Sequence, residues 1–128
     1  RIVKWFVDAY LPRYKVTINV EHLGLINQGV FGWMWASDCD YRPREFEIEL
    51  HNRMTPENYT KTLLHELWHV YQHVKGLLKD KHNKRLWKGI DYSSADYENQ
   101  PWEKQAVTME EYLFTKYSNH LTKSNLPL

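Results

Sequence analysis

The segment from Thr55 to Gly76 constrains this chain more than any other. Thr55-Pro56 opens it with a hydroxyl suited to cap a helix and a proline at the first helical position, where its missing N–H costs nothing. Gly76 closes it, supplying the left-handed residue that ends a helix. Between them Leu63, Leu67, Val70, Tyr71 and Val74 recur at the spacing of one buried helical face. With 128 residues and 15.5 kDa the chain holds one domain, 1–128, and this helix is its best-marked element.

The same helix carries His65-Glu66-Leu67-Trp68-His69. On a helix, positions i and i+4 are about 40° apart around the axis and about 6 Å apart along it. Two imidazoles so placed can bind one tetrahedral Zn²⁺ at roughly 2.0–2.1 Å each. Glu66, beside the first of them, can hold a zinc-bound water as general base. His73 extends the stripe by another turn and reads as a rim or supporting residue, because a third ligand from this helix would lie too far along the axis.

Three residues compete to be the third ligand. Glu103 opens the last helix in Pro101-Trp102-Glu103-Lys104-Gln105-Ala106, from where its carboxylate can cross to the zinc and leave one position open for water. Ala106 is small enough to let two helices approach. His82 is the rival, in the loop after His69, and Cys39 comes third, upstream in a polar loop.

Around this helix the chain reads α-β-β-β-α-loop-α. Residues 1–11 cluster Ile2, Val3, Trp5, Phe6, Ala9, Tyr10 and Leu11 as a helix that Pro12 stops. Val16, Ile18 and Val20 alternate in a strand from Lys15 to Leu23, and Gly24, Asn27, Gln28 and Gly29 form the following turn. Val30 to Ala36 is an aromatic strand with Phe31, Trp33 and Trp35 on one face. Residues 37–43 are a loop. From Glu45 to His51, Phe46, Ile48 and Leu50 face in, and three glutamates face out. Residues 77–100 read as irregular, with a short extended piece from Leu86 to Tyr92. Pro101 starts a helix whose inner face is Ala106, Val107, Glu110, Leu113, Phe114 and Tyr117. This order is α+β.

Composition removes other chemistries. One cysteine excludes a disulfide framework and a four-cysteine zinc ribbon, and points to a reducing, cytoplasmic setting. A net charge of +1 gives no overall field toward nucleic acid or a membrane, and no apolar run nears the ~18 residues of a membrane span. Lys75 to Lys88 is a local exception, with six Lys/Arg and one Asp, suited to an acidic partner or nucleic acid. Tyr92-Ser93-Ser94 lacks the Gly-x-Ser-x-Gly elbow of serine catalysis. Beginning at Arg1 rather than Met, the sequence reads as a fragment or processed product, so any leader lies out of view.

His65-Glu66-x-x-His69 followed by Tyr97-x-x-x-Pro101-Trp102-Glu103-x-x-Ala106 resembles the minimal gluzincin metallopeptidases of the zincin class. Glu47-Ile48-Glu49-Leu50 and Thr62-Leu63-Leu64-His65-Glu66 also resemble the SprT-like domain. The resemblance spans roughly residues 45–110. It implies a zincin-like fold, with a small antiparallel three-stranded sheet above the active-site helix and a helix at either end. It also implies a monomeric zinc metalloendopeptidase whose sheet edge, here Val30–Ala36, pairs with an extended protein or peptide substrate. SprT-like proteins use a third histidine in the loop, which favours His82; the Pro-Trp-Glu segment favours Glu103. Those proteins also carry a ribbon or DNA-binding extension that one cysteine cannot build. Small peptidases of this kind occur in phage genomes, a setting that suits so compact a chain.

The expected reaction is therefore peptide hydrolysis at His65, His69 and Glu103 through zinc, with Glu66 as base. Tyr97 is the first candidate to steady the oxyanion and Tyr92 the second. In larger gluzincins an acidic residue one turn after the third ligand supports a histidine. Val107 stands there, so Glu110 is the expected substitute. The competing readings are a zincin-like binding module without proteolysis, a SprT-like protease acting on DNA-associated proteins, and a deformylase-like amide hydrolase with Cys39 as ligand.

Overall fold

The computed structural model describes residues 1–24 and 31–128. Asn27, Gln28, Gly29 and Val30, expected in a turn and at a strand start, lie outside the described residues.

Helix α1 (Ile2–Tyr10) ends at Leu11, directly before Pro12, and buries Phe6 completely. Three strands follow: β1 (Thr17–Leu23), β2 (Gly32–Ala36) and β3 (Glu45–His51). Their order across the sheet is β1-β3-β2, with β1 parallel and β2 antiparallel to β3. The sheet is thus mixed, which corrects the all-antiparallel expectation. Phe46, Ile48 and Leu50 of β3 are all fully buried, whereas Ile18, Val20, Met34 and Ala36 only pack against the core from its margin. The strand with the largest apolar face takes the centre, where both neighbours cover it. Register lines up Val20, Ile48 and Met34 in one row, and Ile18, Phe46 and Ala36 in the next.

Helix α2 (Pro56–Val74) lies against the inner face of this sheet. Thr55 accepts a hydrogen bond from the Asn58 N–H at 3.2 Å, and Gly76 takes φ +75° just past the end. Burial goes beyond one stripe: Leu63, Leu64, Glu66, Leu67, Trp68, His69, Val70, Gln72, His73 and Val74 are all buried. Sheet, α1 and the last helix enclose α2, so its polar residues face the inside of the protein.

Residues 77–100, expected to be irregular, form a second antiparallel sheet of β4 (Leu78–Lys81), β5 (Lys84–Trp87) and β6 (Ile90–Asp91). Two tight turns fold it. His82 and Asn83 have φ of 51° and 62°, and Lys88 and Gly89 have φ of 50° and 85°, the left-handed pairs that two-residue hairpins need. Leu78, Trp87 and Trp102 form a small second core beneath it.

A single 3₁₀ turn (Tyr97–Asn99) leads into α3 (Pro101–Lys123). Ala106, Leu113 and Tyr117 face inward as expected, and Glu110 and Phe114 are half-buried. Val107 does not: it is 53% exposed. The inner face runs instead through Trp102, Ala106, Leu113, Tyr117 and Leu121.

Candidate metal centre

α2 and α3 meet at Ala106, which is fully buried and has no side chain beyond Cβ to hold the helices apart. One turn before it, Glu103 reaches across to α2. Its Oε1 lies 2.8 Å from His69 Nε2 and its Oε2 lies 3.1 Å from His65 Nε2. The two imidazoles are 4.9 Å apart between centroids and nearly perpendicular. One ligand atom from each of His65, His69 and Glu103 fits within a 4.8 Å span.

The far nitrogen of each ring is also held. His65 Nδ1 is 3.0 Å from Glu110 Oε1. Glu110 lies seven residues after Glu103, two turns along the same face of α3, so α3 grips both sides of one imidazole. His69 Nδ1 is 2.8 Å from Gln72 Oε1. The Gln72 amide is fixed in turn, because its Nε2 donates to the Trp102 carbonyl at 3.0 Å and to Gln105 Oε1 at 3.1 Å. Trp68 Nε1 donates to the same Gln105 oxygen at 2.8 Å. Glu110 and Gln72 thus stand at the two Nδ1 atoms while both Nε2 atoms face the Glu103 carboxylate, so that a cation bound there would take one Nε2 lone pair from each ring. The donor set, two imidazoles and one carboxylate, suits Zn²⁺ with a position left open.

The imidazoles and carboxylates also shift one another's proton affinities. Burial opposes a charge on His65, but its hydrogen bonds to Glu103 and Glu110 outweigh it and raise the imidazole to about 10. Burial likewise opposes ionisation of Glu103, yet the hydrogen bonds from His65 and His69 hold it well below the usual carboxylate range. Glu66 behaves differently. Only 7% exposed, it is pushed up by burial, although both histidines pull the other way. Two carboxylates of one site are thus driven apart, one toward permanent charge and one toward taking a proton.

His65, Glu66, His69 and Glu103 line one cleft of about 370 Å³, together with Tyr97, Trp102 and His73. All five residues of β2, Gly32 to Ala36, border it as well. Successive side chains of a strand point to opposite faces, so a cleft bordered by five in a row runs along the strand's edge. Among the described residues no strand pairs with that edge.

Tyr97 is 62% exposed, and its hydroxyl donates to Glu103 Oε2 at 3.0 Å. Burial of the hydroxyl end and the adjacent Glu103 charge push it up to about 12, so it stays a proton donor. Tyr92 is not among the cleft residues; it packs edge-on against Trp102 in the second core. His82 sits exposed in the β4–β5 turn, and Cys39 is exposed with its thiol on the Tyr41 carbonyl. Neither joins the histidine pair. Sequence reasoning did not find Gln72, Gln105 or Trp68, whose polar atoms hold His69; the spacing of Gln72, three residues after His69, is the signal that was available.

Compared with protein-family models, curated proteins and solved structures, the chain matches none. The site therefore rests on its own geometry.

Proposed function

We propose that this protein is a zinc-dependent metallopeptidase that cleaves an extended polypeptide. The observation that carries the reading is the convergence of His65, His69 and Glu103 on one point, beside a buried glutamate whose acidity is weakened. Bound there, Zn²⁺ supplies Lewis acidity, acidifying water toward a pKa of about 7 and polarising the scissile carbonyl. Glu66 takes the proton of the attacking water and passes it to the leaving amine. Glu110 and Gln72 hold the two imidazoles in orientation and fix their tautomers. Tyr97 turns its hydroxyl from Glu103 to the developing oxyanion. The edge of β2 that no strand among the described residues pairs with supports the substrate's main chain by strand addition.

A zinc-holding module without hydrolysis is the second reading, and Glu66 separates the two because a structural site has no use for a base. The SprT-like pattern of three histidines draws no support from His82, which stands outside the cleft.

Zinc content and casein cleavage should be measured for wild type and single variants. Wild type should carry equimolar zinc and hydrolyse. Glu66→Ala should keep its zinc and lose at least about 10²-fold in rate. Glu103→Ala should lose the metal, Glu110→Ala should bind it about 10–100-fold more weakly, and His82→Ala should change neither. Full hydrolysis by Glu66→Ala would overturn the enzyme reading.

A further inference from the structure

Beyond the Ala36 end of β2 the metal cleft meets a second, larger groove of about 860 Å³. It lies between loop 37–44, the C-terminal end of α2 and the β4–β5 hairpin. Asp40, His73, Leu78 and Asp80 border both spaces, so the two adjoin. The groove's floor is apolar, built from Tyr14, Val74, Leu78 and Leu86. Its walls are cationic, with Arg42 and Arg44 from loop 37–44, Lys75 from the end of α2, Lys79 and Lys81 from β4, and Lys88 from the β5–β6 turn.

Only two carboxylates line it against those six cations. One of them, Asp80, is already engaged by Arg85 at 2.8 and 3.0 Å. Several of the cations are also held in place. Arg44 and Lys75 lie over the same Tyr14 ring, at 5.3 and 4.9 Å, and Lys88 lies over Trp87 at 5.7 Å. Such stacking fixes a long side chain without neutralising it. A groove with ordered, unneutralised cations over an apolar floor fits a chain that carries carboxylates on an extended backbone.

We infer that this groove binds an acidic segment of the polypeptide flanking the bond to be cut, making the protein selective for acid-rich substrates. The inference rests on the peptidase reading, since it takes the cleft as the place where the polypeptide lies. A peptide that runs along β2 and leaves the cleft at its Ala36 end meets the adjoining groove. Nucleic acid fits less well: Asp40 and Asp80 interrupt the cationic surface where it meets the cleft. Glu45, Glu47 and Glu49 also place negative charge on the outer face of the sheet beside β2. A phosphate backbone needs a continuous basic track.

The test is binding rather than turnover. Fluorescent peptides with one neutral segment, tailed with a run of glutamates, glutamines or lysines, are titrated into zinc-loaded Glu66→Gln protein. Anisotropy should show the glutamate-tailed peptide binding about tenfold tighter than the glutamine-tailed one near 0.05 M salt. That preference should shrink to under about threefold near 0.5 M salt. Lys79→Glu combined with Lys81→Glu, both exposed positions, should abolish it while leaving the circular dichroism spectrum unchanged. Equal binding of the glutamate and glutamine tails overturns the inference, as does no binding of the glutamate peptide at millimolar concentration. So does a single-stranded oligonucleotide that binds more tightly and displaces it. Acid preference without any wild-type hydrolysis would keep the groove and overturn the peptidase reading; hydrolysis without preference would do the reverse.

Discussion

His73 stands one turn beyond His69 on α2 and lines the same cleft, only 8% exposed. Burial pulls its imidazole down to about 4; Asp80 opposes that, while Arg85 and His69 add to it. Phe46 of β3 covers its ring from the sheet side, 6.1 Å away between centroids. Above a pH of about 6.5, His73 is neutral both folded and unfolded, and contributes nothing to pH dependence. As the pH falls below that value the unfolded chain takes up a proton that the folded protein refuses until about pH 4. Stability should fall across that window by up to about 3 kcal/mol from this one residue. Urea midpoints of chelator-treated protein between pH 7 and 4.5 should show a shallower acid limb in His73→Gln than in wild type. Parallel curves for the two proteins would mean that His73 titrates normally.

At the scale of elements, β2 comes close to α2 and β3 at Gly32. A Cβ added at Gly32 would lie 2.9 Å from both Leu50 Cδ2 and Thr62 Cγ2. Leu50 is fully buried and has no room to retreat. Gly32→Ala should therefore cost about 1–3 kcal/mol in urea unfolding as the strand is pushed off the helix. Zinc content should stay equimolar, because all three proposed ligands sit on α2 and α3. Wild-type stability in that variant would show that the strand gives way freely. Gly32 also illustrates what the sequence made legible. The α2 helix could be read from its cap, stripe and stop, and Glu103 from its place in Pro101-Trp102-Glu103, in the first turn of a proline-led helix. Those are local signals. The parallel pairing of β1 with β3 was not legible, because strand order depends on which apolar face is largest, a comparison made only in the folded core. The β4–β5–β6 sheet was missed because its strands are short and its turns use His82-Asn83 and Lys88-Gly89 instead of a strong Asn-Gly signal. Val107 was misplaced for a related reason. The 3.6-residue period allows several neighbouring stripes, and contact with α2 chose the one through Trp102 and Ala106.

Across the whole molecule, the proposed metal would add to the packing and the Trp68, Gln72 and Gln105 hydrogen bonds that already join α2 to α3. His65 and His69 belong to α2 at the centre of the main core, and Glu103 to the start of α3, between that core and the smaller one around Trp87 and Trp102. No helix among the described residues is long and apolar enough to cross a membrane. Without a cation, the pocket holds buried Glu66 and half-buried Glu103 within reach of two histidines, a costly concentration of polar groups. A cation that binds only the folded state adds stability by mass action, about 2.7 kcal/mol at a hundredfold excess over its Kd. For a domain of 128 residues that corresponds to a rise in melting temperature of roughly 10 °C. Calorimetry of chelator-treated protein, with and without added Zn²⁺, should show that rise in wild type and in Glu66→Gln, which keeps all three ligands. Glu103→Ala should melt at the same temperature in both conditions. An equal rise in Glu103→Ala would place the metal elsewhere, and no rise in wild type would remove the metal centre from this protein altogether.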